Sequence, residues 1–436
     1  APPIFGANGC FAIWRTDQRP LTDKDIERMD FSDSPEEAAF RAKASDWLDA
    51  NATRRDGSEK AQDHFMARDA DEVARARDWQ SRKADAGWAG LTWPRAFGGR
   101  DATPIEQVIW NQEEGRYAVP PNVFLIGIGL VGPTVMIHGT DDQKTTFLPR
   151  ALTGEDIWCQ LFSEPAAGSD LAGIRTRARR EGDEWVISGQ KVWTSGAHYS
   201  THGILLARTD PQVPKHKGMT TFLVHMSDPA IETRPIRQIS GSSSFNEVFI
   251  DDLRVPDSAR LGGESEGWKV ALTTLMNERF SISVGRASGG ARAEELIDLA
   301  TRVERNGRPA FEDGEVRARI ADFIARQRGL EFTSYRVMTS LSRGDAPGEE
   351  GSIGKLLLGK LRQEMGAFGM ELAGTAAGIS AKSGDDVARW RNEYLTAPGN
   401  RIAGGSDEIQ RTIIGERILG LPPEIRVDKD VAFSEL

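Results

Sequence analysis

The spacing of apolar residues changes twice along this chain of 436 residues, from a helical period to short strand-like runs and back to a helical period. That order limits the fold more than any single motif. In the first region Ser34-Pro35-Glu36-Glu37 reads as a capping box with proline at the first helical position, which satisfies backbone donors that a helix start leaves orphaned. Phe40, Ala44, Trp47 and Leu48 follow at helical spacing. Val73, Ala76 and Trp79 repeat the pattern, and Gly87 is placed to end that helix. Thr103-Pro104-Ile105-Glu106 opens a further helix carrying Val108, Ile109 and Trp110. From Trp158 the runs shorten: 184–187 after the turn Gly182-Asp183, 204–207 after Gly203, then 219–224 and 245–250. Helical periodicity returns at Gly267 and continues to Leu419. A polar, glycine-rich helix connection is predicted at 343–351, and Gly420-Leu421-Pro422-Pro423 stops the last helix.

Strands gathered between two helical regions predict an α+β fold with a separate β domain, not alternating βαβ units. The expected divisions are an N-terminal helical domain at 29–157, a middle β domain at 158–262, a C-terminal helical domain at 263–421 and a tail at 422–436. Residues 1–28 are expected to be a non-native or disordered extension, with Met29 as the natural start. That extension lacks a basic start followed by an apolar core, and Asp23, Asp25 and Glu27 argue against a transit peptide. The apolar stretch 123–137 is interrupted by Gly127, Gly129, Gly132 and Pro133. It is shorter than the roughly 20 residues that cross a bilayer, so a buried helix is predicted and no membrane span.

A net charge of −10 without any basic run argues against a nucleic-acid surface. Cys10 and Cys159 are too few for a disulfide framework or a cysteine zinc site. The six histidines show no HExxH spacing, so a metal-free site in a reducing cytoplasm is expected.

Three segments carry chemistry. Leu161-Phe162-Ser163-Glu164-Pro165-Ala166-Ala167-Gly168-Ser169-Asp170 stands at the first α-to-β boundary. Gly168 permits close backbone approach there, and Ser163 and Ser169 offer hydroxyls and main-chain donors. The residues alone also fit a polar turn without a ligand. Gly189-Gln190-Lys191-Val192-Trp193-Thr194-Ser195-Gly196 follows, and Trp193 taken alone fits a core or interdomain tryptophan. The third segment, Arg401-Ile402-Ala403-Gly404-Gly405-Ser406-Asp407-Glu408-Ile409-Gln410-Arg411, runs into Ile413-Ile414-Gly415-Glu416-Arg417.

In this order the three segments resemble those of the acyl-CoA dehydrogenase family, and the likeness extends over about 29–421. The resemblance implies FAD as cofactor and an acyl-CoA thioester as substrate. Phe162, Ser163, Gly168 and Ser169 then belong to the loop where the flavin ring and the thioester meet, with Ser169 also touching substrate. Trp193 is set against the flavin and Ser195 near its N5 edge, where stacking and a hydrogen bond orient the ring. Ser406 and Glu408 belong to the turn that enters a helix beside the flavin.

Many family members carry a catalytic glutamate directly before a glycine in the third segment, where this chain has Gly404. Other members, the isovaleryl and long-chain types, place it on the first long helix of the last domain. Glu278 falls at that position, in Gly267-Trp268-Lys269-Val270-Ala271-Leu272-Thr273-Thr274-Leu275-Met276-Asn277-Glu278-Arg279. Its helical neighbours Leu275, Ile282 and Gly285 form an apolar stripe, and desolvation there strengthens a carboxylate as a base. On helix pattern alone Glu278 also fits a surface carboxylate paired with an arginine. The resemblance implies that Glu278 removes the α-proton while the β-hydrogen leaves as hydride to flavin N5, giving a trans-2-enoyl-CoA. The backbone N–H of Gly404, with a ribityl hydroxyl, would polarise the thioester carbonyl. Arg279 is similar to a family arginine near the pantetheine arm.

The far end of the FAD site departs from the family pattern. Arg308-Pro309-Ala310-Phe311 keeps the spacing of an Arg and Phe that reach a neighbouring subunit's FAD, yet Asn306-Gly307 beside it also fits a plain turn. Glu371 stands where the family commonly has Gln, ahead of Gly374, and puts an acid near a pyrophosphate. An electron-transferring flavoprotein is the implied electron acceptor. A homo- or hetero-oligomer, dimer or tetramer, is the implied assembly. A subunit of a hetero-oligomeric dehydrogenase and an oxygen-using oxidase or monooxygenase remain open.

Overall fold

The structure, a computed structural model, describes residues 33–55, 66–283, 290–342, 351–375 and 386–436. The expected extension 1–28 and positions 343–350 of the expected helix connection lie outside these residues.

The N-terminal helices start where capping chemistry dictates. In α1 (Pro35–Asn51) the Ser34 hydroxyl accepts from the Glu37 N–H at 3.2 Å, and the Glu37 carboxylate accepts from the Ser34 N–H at 2.7 Å. Thr103 and Glu106 repeat this at α3 (Pro104–Glu114). Between them α2 (Ala70–Asp85) ends just before Gly87, whose φ of +72° suits glycine. Tryptophans of the three helices and of the turn after α2 pack against each other: Trp88 stacks on Trp110 at 4.7 Å, and Trp47 packs 5.3 Å from Trp79. Each such pair contributes about 0.5–1.5 kcal/mol beyond its burial. A two-residue pairing of β1 (Thr53–Arg54) with β2 (Tyr117–Ala118) closes the region.

The apolar stretch after it forms a π-helical turn over Gly127–Val131 and then α4 (Gly132–His138). A Cβ at Gly132 would stand 2.2 Å from the Trp93 ring, so only glycine fits there. A capped α5 (Asp141–Thr153) leads into the sheet. Among the described residues no helix is long and apolar enough to cross a membrane.

One sheet of eight strands fills the middle of the chain. These are β3 (Trp158–Leu161), β4 (Arg177–Glu181), β5 (Glu184–Ser195), β6 (His202–Arg208), β7 (Met219–His225), β8 (Ile231–Ile236), β9 (Phe245–Pro256) and β10 (Arg260–Leu261), in the order β10-β7-β6-β4-β5-β9-β8. The remaining strand, β3, pairs in parallel with β6. Both faces of β6 are covered: Ile204 and Leu206 point into a core shared with α4, α5 and the next helix, while Leu205 and Ala207 point into the core of the opposite face. The strand therefore reads as a continuous apolar run instead of an alternation.

The C-terminal helices are α6 (Gly267–Ser283), α7 (Glu295–Arg302), α8 (Gly314–Ser342), α9 (Gly351–Ala373), α10 (Asp386–Thr396) and the short α11 (Asp407–Ile413). Helix α6 starts against the backbone of β7, since a Cβ at Gly267 would lie 2.7 Å from Met219 and Thr220 main-chain atoms. A hairpin of β11 (Glu304–Arg305) and β12 (Arg308–Pro309) links α7 to α8. The shared core holds Leu296, Leu299, Ile320, Phe323, Phe368 and Trp390. The chain is α+β: helices, one sheet, then a helical bundle.

Candidate active site

The first two chemical segments are joined by one buried lysine. Lys191 is 0% exposed and its Nζ donates to the Phe162 carbonyl at 3.1 Å, the Leu206 carbonyl at 2.7 Å and the Glu164 carboxylate at 2.9 Å. Glu164 also accepts from the N–H groups of Arg175 at 2.6 Å and Thr176 at 2.9 Å. Burial outweighs the attraction of Glu164 and brings the Lys191 ammonium down to about 8. Burial pushes the Glu164 carboxyl up, but the lysine charge and the two N–H donors together hold it below the usual carboxylate value. The Val192 N–H donates to the Ser163 carbonyl at 2.9 Å and completes the joint. Phe162 is buried, Ser163 half-buried, and Gly168 and Ser169 are exposed in the turn beyond.

Trp193 follows on a break in the β5–β9 register between Lys191 and Thr194. Its φ is +60°, a strained value for a side chain of this size, and its indole is 58% exposed, edge-on to Phe245 at 6.0 Å. The bulge thus turns an aromatic face outward from an otherwise packed strand. Ser195 beside it is half-buried. Between the two, the buried Thr194 hydroxyl has no hydrogen-bond partner among the described residues.

The third segment is a tight turn into a helix. Gly404 and Gly405 have φ of +64° and +88°, and Ser406 caps α11, its hydroxyl accepting from the Ile409 N–H at 3.4 Å. Glu408 is exposed in the first turn of that helix. Two side chains hold the glycine pair: Gln410 Nε2 donates to the Gly404 carbonyl at 3.1 Å, and Lys355 of α9 donates to the Gly405 carbonyl. Arg401 pairs with the buried Asp407 at 2.6 Å. Lys355 is 5% exposed, and burial lowers its affinity for a proton, opposed by the charges of Asp407, Glu278 and Glu408. Glu278 is half-buried on α6 and lies within the electrostatic reach of Lys355. The backbone of Arg279 continues α6, and its side chain lies outside the described residues.

The remaining expected residues stand elsewhere. Arg308 is exposed at the end of the hairpin turned by Asn306 and Gly307, both with positive φ, and Phe311 packs against the core of α7, α8 and α9. Gly374 ends α9 with φ of +59°. Glu371 is ion-paired with Arg319 at 2.7 Å, so its acid is compensated within the chain. Sequence reasoning quoted Lys191 and Glu164 without giving them a role, and missed Lys355. A lysine directly before Val192 and Trp193 in a strand motif, matched by an acid in the preceding loop, is the readable signal for the first pair. Lys355 had none, because its partner is a backbone carbonyl fifty residues later.

A flavin can be tested against these residues. Orphaned buried polar atoms among the described residues include Thr194 Oγ1, Asn277 Nδ2, Asp407 Oδ1 and Gln410 Oε1, which lie in the second and third segments and beside Glu278. Together with the outward indole of Trp193, they fit a polar aromatic ring system.

Comparison with known proteins matches three family models in chain order. They are the acyl-CoA dehydrogenase N-terminal domain at residues 34–155, the middle domain at 159–253 and the C-terminal domain at 265–419. Acyl-CoA dehydrogenase IpdE1 of Mycobacterium tuberculosis is 37% identical over 89% of this chain and 98% of its own length. Acyl-CoA dehydrogenase FadE34 of the same organism is 40% identical over 78% of this chain, a match spanning 45% of FadE34. A solved structure described as the Tcur3481-Tcur3483 steroid ACAD has 26% identity and a TM-score of 0.75, covering 91% of this chain and 100% of that one. The ChsE4-ChsE5 complex of M. tuberculosis has 27% identity and a TM-score of 0.73, with the same coverage. The chain belongs to the acyl-CoA dehydrogenase family of oxidoreductases.

Proposed function

We propose that this chain removes hydrogen from the α and β carbons of an acyl-CoA thioester, with FAD as cofactor and Glu278 as the base. Lys355 carries this reading: bonded to Gly405 and attracted to Glu278, it ties the helix of the expected base to the turn of the expected carbonyl donor. When bound, FAD supplies the hydride acceptor. Trp193 would hold its ring by stacking, and Ser195 would offer a hydroxyl to it. Phe162, Ser163, Gly168 and Ser169 would hold the cofactor from the first segment, and Ser406 and Glu408 from the third. Glu278 takes the proton from Cα, its half-buried setting limiting competition from water. The Gly404 N–H stabilises negative charge growing on the thioester oxygen, a role that needs no side chain. Arg279 is assigned to the pantetheine arm.

The test is anaerobic bleaching of the purified flavoprotein by a panel of acyl-CoA thioesters, beginning with sterol-derived ones because a similar structure is described as a steroid ACAD. Glu278→Gln is expected to slow bleaching by roughly 10²–10⁴-fold. Unchanged bleaching in that variant would sink the assignment of the base. An electron-transferring flavoprotein in the cytoplasm is the proposed oxidant of the reduced cofactor. Rapid oxygen uptake on adding substrate would instead indicate an oxidase.

A second reading, one subunit of a hetero-oligomer, is favoured by Arg308 and Glu371. The first is exposed, open to a neighbouring chain, and the second, standing where the family commonly has Gln, is engaged by Arg319. Two similar solved structures are described as two-component assemblies. Flavin absent from the chain produced alone, and present after production with a partner, would establish this reading.

A further inference from the structure

The residues after the last helix turn back toward the sheet. Ala432 pairs with Pro214 in an isolated antiparallel bridge, the Phe433 N–H donates to the Val213 carbonyl at 3.0 Å, and the Ser434 N–H donates to the Pro211 carbonyl at 2.8 Å. The loop they meet joins β6 to β7. Two side-chain junctions extend the contact to the first chemical segment. The Lys215 ammonium stands between Asp428 of the tail at 2.7 Å and Asp170 of that segment at 2.9 Å. The Phe433 ring lies 3.9 Å from the Arg208 guanidinium carbon. Arg208 is only 4% exposed, and its guanidinium donates to the carbonyls of Ala172 at 2.5 Å and Lys215 at 2.6 Å. Burial brings it down to about 10, so this cation is desolvated, the condition under which an aromatic face matters most.

We propose that the tail from Asp428 onward is a strap that positions the loop of the first segment, Asp428 acting through Lys215 on Asp170 and Phe433 acting through Arg208 on Ala172. The upstream half of that loop is already fixed from within, by Lys191 on Glu164 and by the bridge between Glu164 and Ala167. Gly168, Ser169 and Asp170 are exposed, the Asp170 carbonyl accepting locally from the Gly173 N–H at 2.9 Å, and the strap adds side-chain holds there and just beyond. The strap's importance for catalysis rests on the function proposed above; its mechanical role does not.

Hydrogen–deuterium exchange on the full chain reads that role directly. Phe433→Leu keeps an apolar side chain but removes the ring, and Asp428→Asn removes the charge. Each is expected to speed amide exchange over 166–173 by roughly tenfold, while exchange in the sheet core stays at the wild-type rate. Phe433→Tyr should keep the slow rate, whereas Phe433→Met, close to phenylalanine in volume but without a ring face, should exchange as fast as Phe433→Leu. In the flavin-loaded protein the same variants should raise KM for the thioester several-fold more than they lower kcat. Faster exchange confined to 428–436, with 166–173 unchanged, overturns the proposal. If the wild-type protein takes up no flavin, either alone or produced with a partner subunit, the proposed function fails and the exchange comparison still decides the strap.

Discussion

The Lys191–Glu164 pair shows how much of this site depends on a single buried interaction. A carboxylate and an ammonium removed from water are tolerable only when their lone pairs and protons are all engaged, and here they are, by two carbonyls and two backbone N–H groups. Removing one partner leaves the other charged and desolvated. Glu164→Gln is therefore expected to cost about 3–5 kcal/mol in urea unfolding at pH 7, far more than a surface pair would. The pH dependence follows from the direction of the shift. A carboxyl held below its unfolded value binds fewer protons in the native state, so its contribution is present above about 4.5 and is lost as pH falls through the native value. The wild-type chain should lose stability over that acid range more steeply than Glu164→Gln does, and equal slopes would assign the acid sensitivity to other groups.

At the scale of elements, the position of Glu278 is set at the far end of its helix. Gly267 lets α6 start in contact with β7, and the helix carries that register forward to Glu278. In Gly267→Ala the new methyl would meet main-chain atoms of Met219 and Thr220, which cannot rotate away. The helix start must lift instead, costing about 1–3 kcal/mol and displacing Glu278, the proposed base. The expected outcome is a lower melting temperature together with a fall in the bleaching rate constant that exceeds the fall in flavin content; full activity in a folded variant would show that α6 tolerates the shift. The elements themselves were largely readable: Ser34 and Thr103 marked helix starts, Gly87 and Gly420 marked stops, and 204–207 marked a strand. The bulge that turns Trp193 outward was not, because it arises from a register slip against β9 that no local pattern encodes. Neither was the meeting of Lys355 with Gly405, a contact between segments distant in sequence. The tail's return to the sheet was hidden for the same reason, since Asp428 and Phe433 look like any polar chain end until Lys215 and Arg208 are placed beside them.

For the whole molecule, the distribution of exposed apolar surface bears on assembly. Ile402 is 71% exposed, and Leu419, Leu421, Ile425 and Val427 are 66%, 55%, 89% and 88% exposed, all near the end of the helical bundle. Scattered exposed leucines need no explanation, but several large apolar side chains within one short stretch of chain mark a surface that gains by being covered. The net charge of −10 disfavours nonspecific association, so a contact here must be specific and apolar enough to overcome that repulsion. Light scattering of the purified chain is therefore expected to give a dimer or tetramer, and Leu419→Asp combined with Leu421→Asp is expected to shift it toward monomer. Two uncompensated charges buried in an apolar contact cost several kcal/mol each, enough to lower association by orders of magnitude. At solvent-exposed positions the same substitutions should leave the melting temperature of a monomer almost unchanged. A chain that is monomeric before substitution, yet forms a stable complex of defined mass with a different dehydrogenase subunit, would move the patch to a hetero-oligomeric interface. In that case the double variant should abolish the complex, and loss of the flavin along with it would show that the cofactor site is completed across that contact.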